Sequence, residues 1–114
     1  MEITDNHFHL DPFGKKELAV KEFLRAGGTR LVLVHKPYVS WKKIESFKEQ
    51  VETTIKLSKR AREVGAKVAV VAAPHPVQFV KLLEHYDNNH ASDIYLEAVD
   101  YCINLVEEKV TVGL

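Results

Sequence analysis

The stretch that decides the fold runs from Leu31 to Ala73 and reads LVLVHKPYVSWKKIESFKEQVETTIKLSKRAREVGAKVAVVAA. It opens and closes with apolar runs, at residues 31–34 and 68–73, and each run is typical of a strand buried on both faces, as in a parallel sheet. Between them, apolar or small residues recur at helical spacing from Ile44 to Ala61, and Gly65 follows as a stop. This order of strand, helix and strand predicts a right-handed parallel unit.

The same alternation continues on both sides of this stretch. The further predicted elements are a strand at 3–10, helices at 15–26, 76–86 and 92–108, and a last strand at 109–114. Turn formers at 11–14, the pair Gly27-Gly28 and the polar residues 87–90 separate them. The sequence therefore predicts one α/β domain, a parallel (β/α) repeat with four strands in sequence order and the helices on one side.

Composition indicates a neutral, globular chain that works in water. The 114 residues include 16 Lys+Arg against 16 Asp+Glu, and 46% are hydrophobic. No apolar run is long enough for a membrane span, and no basic block favours general nucleic-acid binding. The start at Met1 lacks the pattern of a signal peptide, and the lone Cys102 has no partner for an internal disulfide. We expect a cytoplasmic location and no membrane partner.

Histidines cluster where three of the predicted strands end, at His7 and His9, at His35 and at His75. In parallel α/β folds this edge of the sheet is where ligands bind. Side chains alternate along a strand, so Asp5, His7 and His9 are expected on one face. Two imidazoles at this spacing can bind one divalent cation, although an isolated pair of this kind also occurs as two structural histidines.

The first strand resembles a known metal motif. Asp5-Asn6-His7-Phe8-His9-Leu10-Asp11 is similar to the opening motif of the TatD-like metal-dependent hydrolases, within the amidohydrolase superfamily. Ala73-Pro74-His75-Pro76 is similar to that family's Gly-x-His-Pro element, with the glycine absent. Residues 110–114 resemble the approach to the family's fourth strand, which a metal-bridging carboxylate follows.

The resemblance implies the amino-terminal half of a TIM-type (β/α) barrel. It implies hydrolysis assisted by a divalent metal ion, zinc, magnesium or manganese, acting on a phosphoester in a small molecule or at a nucleic-acid end. His7 and His9 would be metal ligands, and His75 would be a catalytic residue that contacts the phosphate or leaving group. The remaining ligands would follow Leu114, so we expect the chain alone to be inactive and to associate with itself or with the missing half of the barrel.

Several other residues keep two interpretations. Asp5 either orients a ligand histidine or is structural, and His35 and Lys36 either face the substrate or serve the loop. Tyr38 and Trp41 form either a stacking surface or packing at the rim. The residues for which we expect only structural or solvent-exposed roles are Asp11, His85, His90 and Cys102.

Two other functions fit the same residues. A polymerase-and-histidinol-phosphatase-like phosphoesterase also presents His-x-His on its first strand. The second alternative is a noncatalytic structural or binding module. It would be a half barrel that keeps a vestigial His7/His9 pair and completes itself by pairing with another copy.

Overall fold

A computed structural model describes all 114 residues, Met1–Leu114. The strands are β1 (Thr4–Phe8), β2 (Arg30–Val34) and β3 (Lys67–Val71). The helices are α1 (Glu17–Arg25), α2 (Ile44–Glu63), α3 (Pro76–Leu82) and α4 (Asn88–Glu107). The order β1-α1-β2-α2-β3-α3-α4 confirms the predicted α/β alternation through its first three strands.

The three strands form one parallel sheet in the order β1-β2-β3. β2 and β3 pair in continuous register from Arg30 opposite Lys67 to Val34 opposite Val71. Helical connections are long enough to carry the chain back to the start of the next parallel strand. The parallel pairing and the sequence order of these strands were both predicted correctly.

The two faces of the sheet have different surroundings. Leu31, Leu33 and Val70 are buried in a cluster with Val20 of α1 and Leu57 of α2. The intervening residues, Val32, Val34 and Val71, are half-buried and line an open cleft. The apolar runs were predicted to be buried on both faces. That prediction is wrong for the second face, since the helices cover only the first.

A second cluster joins α2 to α4. It includes Trp41, Phe47 and Cys102, which are buried together. Trp41 is only 2% exposed and its ring packs 4.9 Å from that of Phe47. Of the two interpretations of Trp41, packing is therefore the correct one, although the indole lies in the core rather than at the rim, because the loop before α2 folds it inward. Cys102 is a core residue, as predicted.

The predicted fourth strand is reduced to one parallel bridge, between Val71 and Gly113. The backbone N–H groups of Val110 and Thr111 donate to the Leu105 carbonyl and so close the end of α4. The chain therefore reaches the sheet only at Val112, whose N–H donates to the Val70 carbonyl at 2.9 Å. The parallel direction of the fourth strand was predicted correctly, but its predicted length, residues 109–114, was wrong.

The helices around Asp87 also differ from the prediction. Residues 87–90 were predicted to separate two helices, with the second beginning at about Ser92, yet α4 begins at Asn88. Asp87 is its N-cap, because its Oδ1 accepts the backbone N–H of His90 at 2.8 Å. The break lies earlier, since α3 ends at Leu82. None of the four helices combines the length and the apolar character that crossing a membrane requires.

Candidate metal centre at the carboxyl edge of the sheet

His7 and His9 are brought together at the end of β1. Their Nε2 atoms lie 3.1 Å apart, and the two rings are nearly perpendicular, at 88°. Two nitrogens held about 2.0–2.1 Å from one cation lie about 3.3 Å apart at a tetrahedral angle and about 2.9 Å apart at a right angle. The observed spacing falls between these values, so the two nitrogens have the separation of two ligands of one metal ion.

The hydrogen bond of His9 decides which of its nitrogens is free. Its Nδ1 lies 2.8 Å from the carbonyl oxygen of Val34, which only accepts, so Nδ1 carries the proton. The Nε2 of neutral His9 therefore has an unshared electron pair, and it accepts from the Nε2–H of His7. A backbone carbonyl bonded to the far nitrogen is the usual support of a ligand imidazole, because it sets the tautomer and the ring orientation.

A bulge in β1 aims these side chains. Asp5 lies opposite Leu31 and Phe8 opposite Leu33, so β1 carries one extra residue between them. The Oδ1 of Asp5 accepts the backbone N–H of His7 at 2.9 Å. The carboxylate therefore bonds the bulged backbone, and it makes no hydrogen bond to an imidazole. Its structural interpretation is the one that the contacts favour.

His75 lies in the same cleft as His7 and His9, which has a volume of about 530 Å³. It is the N-cap of α3, where its Nδ1 accepts the backbone N–H of Val77 at 3.1 Å. Since Nδ1 accepts, the neutral ring carries its proton on Nε2. His75 is thus placed both to cap the helix and to donate a hydrogen bond to a bound group.

His35 serves the fold more than the cleft. It is 7% exposed, and its Nδ1 lies 2.8 Å from the Oγ1 of Thr54 in α2. That hydroxyl donates to the Gln50 carbonyl at 3.3 Å, so its oxygen accepts the proton of His35. Burial, and secondarily the charge of His9, lower the pKa of His35 to about 4. Of its two interpretations the structural one is favoured, although His35 is also among the residues that line the cleft.

Two residues of the cleft concern charge and polarity. Lys36 is exposed and lines the cleft, so it retains both of its interpretations. Gln78 also lines it and was missed, although it is only 3% exposed. Its side-chain N–H donates to the Trp41 carbonyl. Gln78 could have been predicted from its position in the first turn of α3, which follows the capping residue His75.

An aromatic pair lies near the cleft, and the sequence analysis identified only one of its two members, Tyr38. Tyr38 packs edge to face against Phe13, with ring centroids 5.6 Å apart, and Phe13 is 80% exposed. Asp11 holds this loop, because its Oδ1 accepts the backbone N–H of Phe13 at 2.7 Å, which is the turn role expected of it. His85 and His90 are exposed away from the cleft, as expected.

The chain contains no group of three or more His, Cys, Asp or Glu side chains arranged to hold a metal ion. His7 and His9 offer two imidazoles, whereas catalytic zinc sites have three protein ligands. Comparison with protein-family models, with curated proteins and with solved structures found no match.

Proposed function

We propose that the chain is part of a metal-dependent hydrolase in which His7 and His9 hold a divalent cation. The observation that carries the proposal is the pair of Nε2 atoms 3.1 Å apart, with the His9 ring oriented by the Val34 carbonyl. Without a metal the same separation is bridged by the hydrogen bond between the two rings, and a cation that replaces the shared proton would find both nitrogens within ligand distance. The motif Asp-x-His-x-His, with its resemblance to TatD-like hydrolases, supports the same assignment.

The parent fold in this proposal is a TIM-type (β/α) barrel, of which this chain supplies the amino-terminal half. Three parallel strands in sequence order, with helical connections on one side, are compatible with that half. The bridge at Gly113 brings residues 112–114 alongside β3, where a fourth strand would begin. The half-buried valines of the open face would then lie toward the barrel interior.

The residues around the pair fit an anionic substrate such as a phosphoester. A divalent cation at this position lowers the pKa of a bound water and polarises a substrate oxygen. His75 would donate its Nε2–H to a phosphoryl or leaving-group oxygen while its Nδ1 stays on the backbone of α3. Lys36, exposed in the same cleft, would hold the substrate's negative charge.

The proposal includes the prediction that this chain has no turnover by itself, because two imidazoles are fewer than the ligands a catalytic site uses. The other ligands would come from residues outside this chain. The coding sequence that follows the Leu114 codon is therefore expected to specify a glutamate, two separated histidines and a late aspartate. Finding none of them would contradict the assignment to this hydrolase class.

Calorimetric titration with zinc tests the metal site directly. The chain should bind zinc, while His7→Ala and His9→Ala should each abolish measurable binding because one imidazole remains. His85→Ala is the matched control, since it removes an exposed histidine outside the cleft. Retention of zinc binding in the double variant of His7 and His9 would refute the site. In the complete parent, zinc binding without metal-dependent phosphodiester hydrolysis would instead indicate a noncatalytic binding module.

A further inference from the structure

The two candidate ligand nitrogens belong to exposed side chains that line an open cleft. His7 and His9 are both exposed, and no other His, Cys, Asp or Glu completes a group of three with them. Zinc bound to neutral imidazoles is four-coordinate and tetrahedral in structural sites. This chain would provide half of such a coordination sphere, and the other half would be left for donors from outside the chain.

We propose that zinc joins two copies of this 114-residue chain through the four imidazoles of their His7 and His9 residues, the second copy taking the place of the ligands that the other half of the barrel would supply in the parent. The inference rests on the proposed metal site, because it uses the same pair of nitrogens. The ion would lie on a two-fold axis, so that each copy contributes the same two donors. Such isologous contacts are the commonest way in which identical chains associate.

The position of the pair lets a second copy approach. β1 is an edge strand, paired only with β2, so the side of the sheet beyond it is uncovered. The bulge between Asp5 and Phe8 interrupts the regular edge at the histidines. Bulges of this kind hinder direct strand-to-strand pairing of two edges. Contact through side chains is therefore favoured over a continuous sheet.

The charges of two copies also allow the contact. The chain has 16 basic and 16 acidic residues, so two copies carry no net repulsion. Lys36 is the one Lys, Arg, Asp or Glu among the residues that line the cleft with His7 and His9, and its side chain is exposed. The apolar residues of the neighbouring face, Val34 and Val71, would lose water as the copies meet.

Sedimentation velocity and calorimetry of the 114-residue chain, each with and without zinc, test the inference. We expect half an equivalent of zinc per chain, a doubling of the 13.0 kDa mass on adding zinc, and a return to one chain on adding EDTA. Co²⁺ in place of zinc should give the visible spectrum of a tetrahedral ion. His7→Ala should eliminate the zinc-dependent mass change, and His85→Ala should retain it.

The results that oppose the inference are separable from failure of the metal site. One zinc per chain at an unchanged mass would overturn the bridged dimer while leaving the metal site intact. A dimer that persists in EDTA and in His7→Ala would mean that the copies associate without metal, which also overturns it. Absence of zinc binding would refute both. Circular dichroism checks that His7→Ala is folded, which is expected because its ring bonds only His9.

Discussion

Acidification should destabilise the chain through His35. Its ring is 7% exposed between the end of β2 and α2, and burial lowers its pKa to about 4 in the folded chain, against 6.5 when it is unperturbed. Between pH 6.5 and pH 4, His35 is mostly protonated in the unfolded chain but mostly neutral in the folded chain. The stability that neutral His35 supplies is therefore complete above pH 6.5 and is lost as the pH falls toward 4.

The size of the effect follows from these two values. At 1.36 kcal/mol for each pH unit, the loss in unfolding free energy between pH 7 and pH 5 is about 2 kcal/mol. Urea unfolding at the two pH values measures it, with the fluorescence of the single Trp41, which is buried, as the signal. A loss of this size is a large part of the stability of a small domain.

His35→Asn is the matched variant, since its amide still offers an N–H to Thr54 but does not titrate in this range. It should lose about 2 kcal/mol less than the parent chain between pH 7 and pH 5, whatever its stability at pH 7. The exposed histidines titrate in both proteins and cancel in the comparison. Equal losses, within about 0.5 kcal/mol, would refute the reasoning that burial keeps this ring neutral.

Three further predictions concern the fold. Phe47→Ala should lower the unfolding free energy by about 3–5 kcal/mol, because the ring is 1% exposed. Phe13→Ala, at an exposed ring, should change it by less than about 0.5 kcal/mol, and equal effects in urea melts would contradict this. Asp87→Ala should lower the unfolding free energy by about 1 kcal/mol through loss of the N-cap, whereas the exposed Asp93→Ala should not. The Cys102 thiol is buried, which raises its pKa to about 11, so Ellman's reagent should react with it only after unfolding. Rapid modification of the folded chain would show that the helix α4 opens.

Much of the candidate site was predictable from local pattern. His7 lies in β1 and His9 follows its last residue, and the alternation of side chains along an extended backbone was enough to predict that the two would lie close together. His75 was placed at the same edge because strand ends meet there in a parallel sheet. The bulge at β1 was not predictable, since no residue between Asp5 and Phe8 demands it. The sequence therefore left two roles open for Asp5, and the contact of its carboxylate with the backbone of His7 favours the structural one.

Local periodicity by itself determined the class of this protein and the order of its strands. Apolar runs at 31–34 and 68–73 separated by a helical pattern admit few arrangements other than a parallel sheet. Tertiary structure alone decided which way the side chains of the loops and strand ends turn. His35 bonds Thr54 and Trp41 packs against Phe47, and both partners belong to α2. These contacts exist only once α2 has packed against the sheet, so the local sequence around His35 and Trp41 does not reveal them. The length of the last strand was decided in the same way, by the hydrogen bonds that close α4 onto Leu105.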